Sequence, residues 1–181
     1  MKRCLPLLLL CCLLLTACGE DRVKLRWEER SAELAAQDPL AFTAALTASY
    51  PDKTDRFTLS YEKAGGEETV TVKDPANIAG LRARVLDGST ALVFDGLILD
   101  TGPLDDYGLT PMTALPLLAE MLTAGHLDSW SREDGGLCLE LVRDDHLRAR
   151  VWVTEDSLTP TGAQLISDGR VTVDCTINDW R

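Results

Sequence analysis

Six cysteines, two histidines and several paired aspartates are the residues of this 181-residue chain whose types could carry chemistry. His126 follows Gly125 at the end of an apolar stretch, and His146 follows the pair Asp144-Asp145. Neither stands in one motif with a nucleophile and an orienting acid, which acyl or phosphoryl transfer would need. Asp105-Asp106 and Asp144-Asp145 bring carboxylates together, but calcium takes about six to eight oxygens from a loop of Asp-x-Asp-x-Asp-Gly spacing, which both lack. They read as turn residues at hairpin ends. After Cys18 there is no Gly-x-Ser-x-Gly elbow, phosphate-binding loop, His-Glu-x-x-His pair or Cys-x-x-Cys pair. The expectation is a protein that is not an enzyme and uses no metal and no cofactor.

One thiol has a context of its own. In "LLLTACGE", residues 13–20, Cys18 directly follows the small residues Thr16 and Ala17 at the end of an apolar run that Lys2 and Arg3 precede. A basic start, a short apolar core and small residues at its end form a secretory signal. The run is shorter than the roughly 20 residues of a membrane-spanning helix. Leu15-Thr16-Ala17-Cys18 resembles the bacterial lipobox. That resemblance implies a signal peptide over 1–17 that is cleaved, diacylglyceryl and palmitate-type modification of Cys18, and anchorage at the extracytoplasmic face of the cell membrane. A short tether, 18–23, then leads into one domain over 24–181.

Removing 1–17 takes Lys2 and Arg3 and no acidic residue from 18 basic and 29 acidic residues, so the net charge moves from −11 to −13. Such a surface repels phosphate-rich polymers, which excludes nucleic acid as the expected partner and leaves membrane attachment to the lipid. Cys4, Cys11 and Cys12 leave with the signal, so Cys138 and Cys175 remain as thiols. An exported domain could pair them. The alternation places Cys175 with Val173 and Ile177 but Cys138 opposite Leu137 and Leu139, which sets the two on different faces of their strands.

These residues need elements to hold them. "KLRWEERSAELAAQ" predicts a helix with Leu25, Ala32, Leu34 and Ala35 on one face, and "DPLAFTAALTASY" a second, with Asp38 as N-cap and Pro39 at its first position. From Arg56 the period becomes two. Gly65-Gly66, Asp87-Gly88, Asp95-Gly96 and Asp168-Gly169 separate alternating runs, and about nine strands result in a pattern that suits an antiparallel sheet. Between two strand groups, Thr113 caps a predicted helix through Leu117, Leu118, Met121 and Leu122 to Gly125.

The order of these elements from about Trp27 to Trp180 resembles the LolA/LolB-like lipoprotein-carrier superfamily, which includes RseB N-terminal domains and GerS germination lipoproteins. The resemblance rests on "VTVKDPANIAGL", "LVFDGLILDTGPL", "ALPLLAEML" and "LTPTGAQLISDGRVTVDCTINDW". It implies an α+β fold: one strongly curved antiparallel half-barrel, with N-terminal helices and one inserted helix covering the concave face. The apolar groove expected there takes Phe57, Leu59, Tyr61, Val70, Val72 and Val93 from the first strands. Leu139, Leu141, Val151, Val153, Val171 and Val173 come from the later strands, with Leu117, Leu118 and Met121 above them. If helices fill the groove, these residues are core; if not, they form a pocket for acyl chains. Two roles stay open at this stage. One is a membrane-anchored interaction protein that docks or supports an enzyme or sensor of the cell envelope, with sporulation or germination as the setting the GerS resemblance implies; the other is an acyl-chain binding protein.

Overall fold

A computed structural model of the chain describes residues 22–86, 89–102 and 110–181. The signal peptide, Cys18, most of the tether, Asp87-Gly88 and Asp105-Asp106 lie outside them. The described chain runs α1 (22–36), β1 (Leu40–Ser49), β2 (Thr54–Ala64), β3 (Glu67–Asp74), β4 (Arg82–Leu86), β5 (Ser89–Phe94), β6 (Leu97–Gly102), α2 (Pro111–Ala124), β7 (His126–Glu133), β8 (Gly136–Val142), β9 (Leu147–Thr154), β10 (Pro160–Ser167) and β11 (Arg170–Asn178). All eleven strands form one curved, unclosed antiparallel sheet in the order β6-β5-β4-β3-β2-β1-β11-β10-β9-β8-β7. This is an α+β half-barrel.

Two-residue turns set the hairpins. Gly65-Gly66, Asp95-Gly96, Asp134-Gly135 and Asp168-Gly169 all have positive φ at both positions, the backbone whose twist matches the flanking strands. Asp144 makes a different turn: its Oδ1 accepts from the N–H groups of His146 (2.8 Å) and Leu147 (2.9 Å). These bonds hold the Asp144 carboxyl below its ordinary range.

Two departures from the sequence reading concern the first elements. "LAFTAALTAS" is strand β1, not a second N-terminal helix, and Leu40, Phe42, Ala44, Leu46 and Ala48 are all buried while the residues between them are not. Its alanines favour a helix locally, but the period of two gives a full apolar face between β2 and β11, and burial outweighs propensity. In α1 the buried side chains are Val23, Trp27 and Leu34, whereas Leu25, Ala32 and Ala35 face solvent. Arg26 fixes this rotation by donating from Nη2 to the carbonyls of Glu155 (2.7 Å) and Asp156 (2.9 Å) in the β9–β10 loop.

Helix α2 lies against β2, β3, β8 and β10, so it spans the concave face from one flank to the other. Its N-cap is Thr110 rather than Thr113. The Thr113 N–H donates to Thr110 Oγ1 (3.3 Å), and the Thr110 N–H donates to Thr113 Oγ1 (2.9 Å), a reciprocal cap with Pro111 at the first position. The helix ends where Gly125 turns to an extended backbone, and glycine is required there because a Cβ would run into the Met121 carbonyl. Strands β1 and β7 raise the strand number above the nine expected, and His126 is the first residue of β7.

Candidate functional site

The concave face is built in register rows that cross the sheet. One row joins Trp130, Leu139, Val151, Ala163, Cys175, Leu46 and Phe57 on seven consecutive strands. The neighbouring row joins Leu127, Leu141, Ala149, Leu165, Val173 and Ala48. Every member of the second row is buried, and in the first only Trp130 and Phe57 keep partial exposure. Above them Leu115, Leu118, Met121 and Leu122 of α2 are at most 1 % exposed. At about 25 cal/mol per Å² of apolar area, this joint burial is the main stabilisation of the helix-on-sheet arrangement.

Of the residues expected to line the groove, Leu59, Tyr61, Val70, Val72, Leu118, Met121, Leu139, Leu141, Val151, Val153 and Val173 lie in this core. Phe57 and Leu117 pack on it half-buried. Two do not belong there. Val93 pairs with Arg82, which pairs with Thr71, so it sits in a row of the convex face; the inner row is taken by Ala83 and Leu92. The apolar run "ALVF" carries no alternation that would choose between the faces. Val171 is 44 % exposed, because the ladder slips between Leu165 and Ile166 and the strand begins beyond the covered part of the sheet.

Aromatic rings close one end of the groove. Phe42 stacks on Trp180 at 4.8 Å and leans on Tyr61 at 5.1 Å. Burial, together with the nearby Glu68 carboxylate, pushes the Tyr61 phenol up, so this hydroxyl stays neutral. Sequence reasoning missed Trp27, Phe42 and Trp180 as parts of this lining; the period-two pattern of β1 was the available signal for Phe42.

Among the described residues, the titratable candidates do not come together in one cluster. Cys138 and Cys175 are free, buried and on opposite faces: Cys138 pairs with Trp152 on the convex side, Cys175 with Leu46 on the concave side. Burial pushes their thiols up to about 11 and about 12, where they are poor nucleophiles. The exposed His146 Nδ1 lies 2.9 Å from Asp168 Oδ1, tying the β8–β9 loop to the β10–β11 turn, and that hydrogen bond raises the imidazole pKa. Among the described residues no group of three His, Cys, Asp or Glu could hold a metal ion, and no helix is long and apolar enough to cross a membrane.

The convex face is polar. Glu67 takes Arg84 on both carboxylate oxygens at 2.7 Å, Arg150 reaches Glu140 at 3.0 Å, and the Trp152 indole donates to Glu133 at 2.9 Å. A shallow hollow of about 330 Å³ lies on this face between Glu62, Glu67, Thr69, Thr71, Lys73 and Arg82.

At the other flank the inner face comes into the open. Phe42, Tyr61, Val70, Ala83, Leu92 and Leu99 form a single register row. Its first four members are buried, Leu92 is half-buried, and Leu99 on the edge strand β6 is 62 % exposed. Leu97 and Ile98 beside it are 76 % and 71 % exposed, and Phe94 is exposed across the turn.

No protein-family model matches this chain, and no curated protein does. Solved structures do. A LolA superfamily protein from Nitrosomonas europaea superposes with a TM-score of 0.53 at 15% identity, covering 87% of this chain and 92% of that one. An uncharacterized conserved protein from Thermus thermophilus gives 0.51 at 10% identity, over 85% and 84% of the two chains. The GerS lipoprotein–CwlD amidase complex from Clostridioides difficile gives 0.47 at 10% identity, over 82% and 89%, and at that level speaks to neither partner nor activity. The chain therefore has the fold of a LolA superfamily protein.

Proposed function

We propose that this chain is a lipid-anchored extracytoplasmic protein, cleaved after residue 17 and held through Cys18, that docks a protein of the cell envelope and carries out no turnover. The observation that carries the docking reading is the state of the groove. Its lining is packed against α2 to near-zero exposure, while the same apolar face is open at β5 and β6. A packed core is already occupied by its own side chains, and an acyl chain would enter only by displacing α2. An open apolar patch on a strongly acidic protein suits protein contact. The lipobox Leu15-Thr16-Ala17-Cys18 supports the anchor.

Protein purified from the membranes of its native host tests both parts. Intact-mass measurement is expected to show a diacylglyceryl-modified N-terminal Cys18, lost in Cys18→Ala. Solvent extraction of the folded protein is expected to release no stoichiometric fatty acid beyond that bound at Cys18. A stoichiometric extractable acyl chain would establish the carrier reading instead, and an unmodified Cys18 would remove the anchor.

A further inference from the structure

The two ends of the sheet differ in how they meet water. β7 has its ladder shifted between Leu127 and Ser129 and carries Asp128, Arg132 and Glu133, two of them paired: Asp128 with Arg148 and Arg132 with Glu155. Shifted ladders and charges are how natural edges avoid pairing with another chain. β6 has a ladder shift and a charge only at its far end, where Thr90 pairs with Gly102 and Ala91 with Asp100; the triplet Leu97-Ile98-Leu99 ahead of that shift has neither device. Among the described residues, nothing pairs with its free side.

The register fixes which backbone groups that edge offers. Asp95 and Gly96 form a two-residue turn with φ of 48° and 79°, so Phe94 and Leu97 are its closing, hydrogen-bonded pair. Hydrogen-bonded and non-hydrogen-bonded pairs then alternate, and Leu99 with Leu92 is bonded again. Leu97 and Leu99 therefore spend their N–H and C=O on β5. Those of Ile98 point away from the sheet, with Leu97 and Leu99 exposed on one face and Ile98 on the other.

Resting on the docking reading above, we infer that β6 is a strand-addition site that accepts an extended, apolar segment of a partner protein flanked by Lys or Arg. Three observations choose this occupant over a second copy. Phe94, Leu97, Ile98 and Leu99 together expose on the order of 500 Å², short of the ~800 Å² per partner of a standard rigid interface. An added strand gains its affinity from main-chain hydrogen bonds as well as from side-chain area, so it needs less. Two copies would also bring together two cleaved chains of net charge −13, whereas a basic segment is drawn to this surface, and the sequence itself brackets the apolar triplet with Asp95 and Asp100.

The test uses the intact lipoprotein in nanodiscs and two labelled octapeptides with the same alternating Val-Thr centre, one with Lys at both ends and one with Glu. Saturable binding of the Lys-flanked peptide by fluorescence anisotropy is expected, at least tenfold tighter than the Glu-flanked twin, with slowed hydrogen exchange confined to the β5–β6 hairpin. Ile98→Pro removes the outward-facing N–H without breaking a bond to β5 and also loses the exposed isoleucine side chain, so it should weaken binding at least tenfold and by more than Ile98→Ala, which keeps the N–H; Leu99→Lys, at an exposed site, should also weaken it at least tenfold by charge. Absence of binding, equal binding of the twin peptides, or unchanged affinity in a folded Ile98→Pro or Leu99→Lys variant would overturn the inference. So would a dimer in sedimentation equilibrium that Leu99→Lys abolishes, since the occupant would then be a second copy. An envelope protein that cross-links equally to wild type and to the Ile98→Pro and Leu99→Lys variants would leave docking in place and remove strand addition alone.

Discussion

The two flanks of one sheet make opposite use of the same residue types. On the β7–β11 flank, apolar side chains of the inner rows are buried under α2, and charged pairs guard the edge. On the β4–β6 flank, the inner row continues through Ala83 and Leu92 to Leu99 and loses its cover within two strands. Leu139 and Leu99 are thus alike in chemistry and both stand on the inner face, and they differ in whether α2 lies above them. Burial, more than composition, separates stabilising residues from residues available for contact.

The sharpest way to break this comparison is to place a charge on each flank. Leu118→Asp should cost more than about 4 kcal/mol by leaving an unpaired carboxylate beneath α2, which in a domain of this size prevents folding or drives the carboxyl to protonate. Urea denaturation measures it, and near-wild-type stability would show that α2 does not close the groove. Truncation at the first flank is next: Leu139→Ala should cost about 2–5 kcal/mol through lost transfer energy and a residual cavity. The matching Leu99→Ala on the second flank should stay within about 0.5 kcal/mol, because its side chain is already in water. Equal costs for these two leucines would show that β6 is covered in solution.

Smaller effects sharpen the picture at the element ends. Thr110→Ala removes the cap acceptor for the Thr113 N–H and should cost about 1 kcal/mol in the same measurement. The smallest expected effect is at the rim of the covered flank, where Asp168 raises the His146 pKa above its ordinary 6.5. A raised folded-state pKa contributes stability that is fully present below the unfolded value and is lost as pH rises through the folded one. Wild type should therefore exceed His146→Asn in melting temperature at pH 5.5, with the difference vanishing by pH 9. A difference that persists at pH 9 would mean that the neutral imidazole supplies the contact.

Much of the fold was legible from residues 56–178 because its turns are local. Asp-Gly and Gly-Gly pairs favour positive φ whatever surrounds them, so Gly65-Gly66, Asp95-Gly96 and Asp168-Gly169 mark hairpins without tertiary help. The inserted helix was legible from its apolar run and from Gly125 at its end, whereas its start was read at Thr113 and lies at Thr110-Pro111. The Val-rich alternation of β3 and β9 fixed which residues face inward, since a shift of one position would reverse every side chain.

Other features depended on neighbours distant in sequence. "LAFTAALTAS" is compatible with helix or strand until β2 and β11 supply partners on both sides. The face of Val93 was set by pairing with Arg82 in an apolar run that allows either orientation. Trp27 rather than Leu25 is buried because Arg26 binds two carbonyls some 130 residues away and turns α1 accordingly. Whether "LILD" would be a covered strand or, among the described residues, the last strand of the sheet had no sequence signal at all. That outcome depends on which strand comes last in the sheet, and strand order is decided by long-range pairing that no single segment contains.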